Sequence, residues 1–329
     1  MNLLKVSAVT KRVGRDFLLS GINFEQKEFQ KIAVAGSSGS GKSTLLRIIA
    51  GLLQPDMGAV WLYQQRVEGP DEKLIPGHPA VAYLSQHYEL RNNYRVEELL
   101  FYANTLSEEE ANALFRICRI DRLLTRKTNE LSGGEKQRIA MARLLIGSPK
   151  LFLMDEPFSN LDLIHRNILK SVIADLTVKL KITCLLVSHD PADMLSWADE
   201  ILIMRTGQLV QRGTPQEIYH RPVDSYAAGL FGKYNLLDYS MARSFNDQTS
   251  LLINQKKYFV RPGQLKIHPS NQTGLRGIVK KITFMGSYFE IETAVESTLL
   301  IAETQDVYFS INDEVSLSLF PGDLWTIET

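Results

Sequence analysis

The sequence predicts an α/β domain on a mostly parallel sheet, followed by a small all-β domain. Three observations carry this reading. The runs Ile32-Ala33-Val34-Ala35, Ala80-Val81-Ala82-Tyr83-Leu84, Leu151-Phe152-Leu153-Met154, Thr183-Cys184-Leu185-Leu186-Val187 and Ile201-Leu202-Ile203-Met204 are almost continuously apolar. Strands of that kind are buried on both faces, as in parallel sheets covered by helices. Helical patterns lie between them. Beyond Gly232-Lys233-Tyr234-Asn235 the runs become short and β-rich: 258–260, 277–279, 288–291, 298–301, 315–317 and 325–327, punctuated by Gly263, Gly274, Gly286 and Gly322. Regularly spaced short strands suggest a small barrel.

The elements follow in order. Residues 45–50, Leu-Leu-Arg-Ile-Ile-Ala, carry an apolar stripe and read as a helix. From Val96 to Leu131 the strand signal vanishes. Residues 96–103 read as a helix, and Ser107 with Glu110 forms a capping box for a second one running towards Ile120. We read a helical insertion here, spanning about 90–145. A length of 329 residues exceeds one core and suggests two domains, 1–235 and 236–329.

Lys+Arg and Asp+Glu both number 37, which argues against a strongly basic nucleic-acid binder, though a local basic patch stays open. Cys118 and Cys184 each lie among apolar residues and read as buried reduced thiols, as in a reducing compartment. Residues 1–7 are too short and polar a stretch for a signal peptide, and no apolar run approaches the ~20 residues that span a bilayer. Work at a membrane would then need a partner.

The most informative stretch is Gly36-Ser37-Ser38-Gly39-Ser40-Gly41-Lys42-Ser43-Thr44, placed between a strand and a helix. Its glycines let successive N–H groups converge, and the helix start adds its positive end; together they suit a polyphosphate. Lys42 can reach the β- and γ-phosphates and the Ser43 hydroxyl can ligate Mg²⁺. Asp155-Glu156 ends an apolar strand: Asp155 can hold Mg²⁺ directly or through water, and Glu156 can polarise a water for in-line attack. Ser132 and Glu135 form a capping box, and Gly133 and Gly134 in that first turn expose N–H groups as a second anion site. His189, at a strand end, could bond the γ-phosphate or hold Glu156. Gln86, after another strand, could touch Mg²⁺ or the attacking water.

Taken in order, these motifs resemble those of the ATP-binding subunit of an ATP-binding-cassette (ABC) transporter. They are the Walker A loop at 36–44, the glutamine at Gln86, the signature at 131–137, the Walker B pair Asp155-Glu156, the loop Ser159-Asn160-Leu161-Asp162 and the switch histidine His189. The resemblance covers about residues 1–235 and implies a P-loop NTPase cassette with a helical subdomain. Residues 231–237, 259–264 and 284–288 are similar to the junction and C-terminal OB-like (TOBE-type) domain of binding-protein-dependent importers of sugars, polyamines, ferric iron and sulfate.

That resemblance implies an ATPase using ATP and Mg²⁺ that energises uptake of a small solute. Two copies would stack head to tail, the Ser132–Glu135 signature and Asp162 of one meeting the ATP held by Lys42 of the other. Transmembrane permease subunits and, indirectly, a solute-binding protein would be partners, which places the chain at the cytoplasmic face of the membrane. Tyr88–Val96 would form part of the permease contact, with Leu90 and Tyr94 either at that surface or in ordinary packing. The C-terminal domain could also sense substrate. The short accessory domain suggests ferric iron or polyamine as solute, although the solute-contacting surfaces lie in other proteins.

The chain departs from the family in three places. Val13, within Lys11-Arg12-Val13-Gly14, stands where an aromatic ring usually stacks on adenine. Val13 would pack less well, Arg12 or Phe17 could compensate, and adenine discrimination should weaken. Residues 90–95 lack the usual Phe-Pro-His-type stretch, and the helical insertion looks shorter than in sugar importers. The competing reading is a soluble cassette ATPase acting on nucleic acid or translation. Such proteins normally carry two cassettes, a long coiled coil or a basic arm, none visible here.

Overall fold

The computed structural model describes residues 2–14, 16–86, 90–159, 161–245, 256–270, 274–320 and 322–327. The chain forms two compact units, Met1–Pro215 and Gln216–Thr329.

The first unit contains β1 (Asn2–Val13), β2 (Asp16–Lys27), β3 (Lys31–Ala35), α1 (Lys42–Ile49), β4 (Met57–Leu62), β5 (Gln65–Arg66) and β6 (Val81–Leu84). Then come α2 (Val96–Phe101), α3 (Glu108–Ile117), α4 (Gly133–Leu145), β7 (Leu151–Asp155), α5 (Leu163–Lys179), β8 (Thr183–Val187), α6 (Pro191–Leu195), β9 (Glu200–Arg205) and β10 (Gln208–Gly213). Six strands form one sheet in the order β10-β9-β3-β8-β7-β6. All pairings in it are parallel except β10 on β9, which is antiparallel. Each apolar run read from the sequence is a strand of this sheet.

The double burial has a direct cause. Side chains alternate across a strand. Leu151 and Leu153 of β7 enter a core with Leu45, Leu46, Ile48 and Ile49 of α1. Phe152 and Met154 enter the opposite core with Ile139, Met141, Leu169 and Val172 of α4 and α5. Cys118 and Cys184 sit in that second core as buried, free thiols, and burial pushes Cys118 up to about 12.

A second sheet, antiparallel and ordered β2-β1-β4-β5, covers α1 from the other side. The sequence reading did not find it. β1 has register shifts between Val6 and Val9 and again towards Arg12, with Ala8 at φ 49°. Such bulges break the period of two that marks a half-buried strand. The helical insertion is present as α2 to α4. Its capping box is closed: Ser107 Oγ accepts from Glu110 N at 3.3 Å, and Glu110 Oε2 accepts from Ser107 N at 3.0 Å.

The helix α7 (Pro215–His220) starts at the last residue of the first unit, and the second unit goes on with α8 (Ser225–Leu230), β11 (Asn235–Leu237), α9 (Tyr239–Phe245), β12 (Lys257–Val260) and β13 (Lys266–Pro269). It ends with β14 (Leu275–Phe284), β15 (Phe289–Val295), β16 (Thr298–Thr304), β17 (Glu314–Ser318) and β18 (Trp325–Ile327). These strands make two antiparallel sheets, β11-β12-β18 and β13-β17-β14-β15-β16, the strand-rich OB-like region. The division between units falls after Pro215, ahead of residue 235, and Arg261 accounts for it. Its buried guanidinium donates to the carbonyls of Tyr219, Ala228, Gly232 and Lys233. The helices before 235 are thereby tied to β12.

Candidate nucleotide site

The sheet order sets up the site. β6, β7, β8 and β3 lie side by side and parallel, so their carboxyl ends share one edge. In open α/β sheets ligands bind at that edge. Gln86 follows β6, Asp155 and Glu156 end β7, His189 follows β8, and residues 36–41 follow β3. Residues that are remote in sequence become neighbours.

The loop after β3 needs its glycines. Gly36 has φ 155°, and a Cβ there would lie 2.4 Å from the Met204 carbonyl oxygen. Gly41 has φ 97°, and a Cβ there would lie 2.7 Å from the Leu18 carbonyl oxygen. Gly41 also stands at the N-cap of α1 and provides no side-chain cap, so the first N–H groups of the helix face the loop's hollow. Ser37, Ser38 and Gly39 form its exposed crest, Ser40 is buried beneath it, and Thr44 is half-buried in the first turn of α1.

Lys42 folds back into the loop. Its Nζ donates to the carbonyls of Gly36 at 2.8 Å and Ser37 at 2.9 Å. Burial pulls its pKa below the usual lysine value, opposed by the charges of Glu156 and Asp155. Asp155 is 3 % exposed. Its Oδ1 accepts from Ser43 Oγ at 3.0 Å and its Oδ2 from Tyr83 OH at 2.9 Å. Burial first, then the Asp155 charge, raises the Tyr83 phenol.

Glu156 has φ 53° and donates its N–H to Val187 of β8 at 3.0 Å. This turns its side chain towards His189, whose Nδ1 lies 2.5 Å from Glu156 Oε2. The imidazole thus stands against the Glu156 carboxylate at the same sheet edge as Lys42. The loop carrying His189 is clamped from below. Asp193 is buried and accepts from Arg166, from Ser188 Oγ at 2.8 Å and from Lys170 at 2.6 Å, and Arg166 also bonds Asp190.

Ser132 and Glu135 close the expected capping box on α4. Ser132 Oγ accepts from Glu135 N at 3.3 Å, and Glu135 Oε2 accepts from Ser132 N at 2.8 Å. Gly133 and Gly134 form the first turn, and Gly134 packs on His165. Asp162 caps α5 and accepts from His165 N at 2.9 Å. Backbone and side-chain hydrogen bonds from His165 hold its carboxyl below the usual range. Gln86 is exposed, and residues 87–89 beyond it, with Asn160, lie outside the described residues. Val13 closes β1 and is 63 % exposed. The side chain of Phe17, the other proposed adenine contact, also lies outside the description. No group of three or more His, Cys, Asp or Glu able to hold a metal occurs among the described residues.

Sequence reasoning missed Tyr83, Arg166, Lys170 and Asp193. Tyr83 sat inside an apolar run, and nothing local marks the other three, since their partners lie on different elements.

The ABC transporter family profile matches residues 19–159, and the TOBE domain profile matches residues 258–327. The sulfate/thiosulfate import ATP-binding protein CysA of Mesostigma viride is 32 % identical over 306 residues, which cover 89 % of this chain and 87 % of that protein. The chain belongs to the ABC transporter family. Within that family it is an ATP-binding subunit and an ATPase. The Fe(3+) ions import ATP-binding protein FbpC 1 of Rhodococcus jostii is 34 % identical, over 86 % of this chain and 85 % of that protein. Among solved ABC cassettes, the dimeric structure of a post-hydrolysis state bound to ADP and Pi is similar with a TM-score of 0.55. It is 26 % identical and covers 65 % of this chain and 99 % of that one.

Proposed function

We propose that this ABC subunit energises a membrane importer, working as a head-to-tail pair that closes on ATP and reopens after hydrolysis. The observation that carries the reading is the Glu156–His189 contact beside Lys42, Ser43 and Asp155, on a chain that carries one Walker A loop and one signature. In this reading each chain holds half of two composite sites, completed by a second copy or a paralogue.

Lys42 exchanges its carbonyl acceptors for phosphate oxygens, a charge-assisted and stronger pairing. Glu156 acts as general base for the attacking water, with His189 fixing its carboxylate. Ser43, Asp155 and exposed Gln86 are hard oxygen donors, the set that suits Mg²⁺ bound through few protein ligands. Bound there, the ion would offset charge on the phosphates. Closure follows because ATP bridging two subunits favours the paired state only.

In this reading the permease surface lies beside the helical insertion. A groove of ≈ 450 Å³ is lined by Leu90, Ala103 and Arg143, and a neighbouring one of ≈ 140 Å³ by Tyr94, Leu99 and Tyr102. Phe101, the last residue of α2, and Tyr102 after it are exposed beside them. Such an apolar patch suits a docked partner segment. No described helix is long and apolar enough to cross a membrane, so contact at the cytoplasmic face would run through permease subunits, fed by a solute-binding protein. The two relatives above are named for sulfate/thiosulfate and for Fe(3+), solutes of opposite charge. Ferric iron and polyamine remain the proposed solute classes.

The test is Glu156→Gln. With ATP and Mg²⁺ this variant should elute as a dimer and turn over very slowly, and the wild type should co-purify with permease subunits from membranes. A Glu156→Gln protein that stays monomeric at saturating ATP, with or without membrane partners, refutes the reading.

A further inference from the structure

One side chain, His165, joins the Asp162 turn to the first turn of the signature helix. Asp162 grips it at two points: Oδ1 accepts from His165 N at 2.9 Å, and Oδ2 lies 2.6 Å from His165 Nδ1. An ionised carboxylate only accepts, so Nδ1 is the protonated nitrogen and donates. The far side of the ring lies on Gly134. A Cβ built on Gly134 would fall 2.7 Å from His165 Cδ2 and 3.1 Å from its Cβ. Hence the His165 ring can lie this closely on the turn only because residue 134 is glycine.

We propose that His165 is a positioning residue that locks Asp162 and the Ser132–Gly134 turn into one rigid unit, presented to the ATP held by the partner subunit. This rests on the paired reading above, in which both segments act on the other subunit's nucleotide. The two segments are 27 or more residues apart in sequence (Asp162 against Glu135) and belong to different helices. The core shared by α4 and α5 relates the two helices as bodies, and His165 adds the contact at their first turns. A displacement of about 1 Å at a reacting centre can cost about a hundredfold in rate. The device acts on closure and turnover. It does not act on the loop with Lys42, to which ATP first binds.

The experiment separates the hydrogen bond from the packing. His165→Leu keeps bulk on Gly134 and loses the donor. His165→Gln moves the amide nitrogen towards the Nε2 position. His165→Asn places an amide nitrogen near Nδ1. The Leu and Gln variants should lower kcat about ten- to a hundredfold, with calorimetric ATP affinity of the separated monomer unchanged, and Asn should restore most of the loss. Combined with Glu156→Gln, His165→Leu should raise the ATP concentration for half-dimerisation about tenfold. Wild-type kcat in the Leu and Gln variants, or a loss that Asn does not restore, overturns the assignment. Failure of Glu156→Gln alone to pair overturns the two-subunit reading, and with it the presentation of Asp162 to a partner.

Discussion

Tyr83 and Asp155 are joined across adjacent strands β6 and β7, the phenol donating to Oδ2 at 2.9 Å while Ser43 Oγ occupies Oδ1 at 3.0 Å. The buried carboxylate therefore has a donor on each oxygen. Tyr83→Phe removes one and leaves a buried acceptor short of a partner, which costs about 1–3 kcal/mol. Urea denaturation should register that loss. The same change frees Oδ2, so less Mg²⁺ should be needed for half-maximal hydrolysis. Unchanged stability together with unchanged Mg²⁺ dependence would mean that the bond does not matter.

Lys42→Ala should weaken ATP binding. Hydrogen bonds to charged groups contribute about 1.5–3 kcal/mol, or roughly ten- to a hundredfold in affinity. Calorimetry with ATP reads this directly. An unaltered dissociation constant would contradict the role of Lys42 at the phosphates.

His189→Ala should separate binding from chemistry. Glu156 keeps its place on the sheet edge but loses the imidazole that holds its carboxylate. We expect KM for ATP to change little and kcat to fall about a hundredfold, the scale of a well-placed general base. A rise in KM at constant kcat would assign His189 to ground-state binding.

Val13→Tyr should strengthen adenine recognition. Val13 is exposed at the end of β1, and an aromatic face contributes about 0.5–1.5 kcal/mol beyond area burial. That corresponds to roughly two- to tenfold in KM for ATP relative to GTP. The same strong ATP preference in wild type and variant would show that Val13 is not the adenine contact.

Acid should unfold the first unit through its held carboxylates. Burial works against the Asp190 anion, but the Ala192 N–H and the Arg166 guanidinium outweigh it and lower its pKa. Glu135 is shifted the same way: burial opposes, and Ser132 and Arg126 prevail. A folded value below the unfolded one means that the unfolded chain binds the proton more readily. The contribution is thus complete above the ordinary carboxylate range near ~4 and lost as pH falls through the folded values. Urea midpoints should be flat from about pH 7 to 5 and fall below about 4. Asp190→Asn should shallow that fall, and an identical slope in the variant would remove Asp190 from the account.

Most of the parallel sheet was legible because a strand buried on both faces writes its burial into consecutive residues. The apolar runs at 151–154 and 183–187 are completely buried. The antiparallel sheet was illegible because bulges in β1 scramble its alternation. The junction helices α7 and α8 were missed for another reason. What ties them to β12 is Arg261, a charged side chain buried among carbonyls and against the rings of Tyr219 and Phe259, and no sequence pattern announces such a partner.

In the site, the glycine loop, Ser132 with Glu135, and the strand-end carboxylates could be read locally because each is defined by neighbours within a few residues. Glycines at 36 and 41, a box at 132 and 135 and an acid ending an apolar strand are short-range chemistry, and the chain alone determined them. Which of these groups touch was decided by strand order, which brings β3, β8, β7 and β6 together at one edge. That order set Tyr83 on Asp155 and His189 on Glu156, while the packing of α4 against α5 laid His165 on Gly134. Contacts between residues many tens apart depend on how sheets and helices close on their cores, a property of the whole fold and of no segment within it.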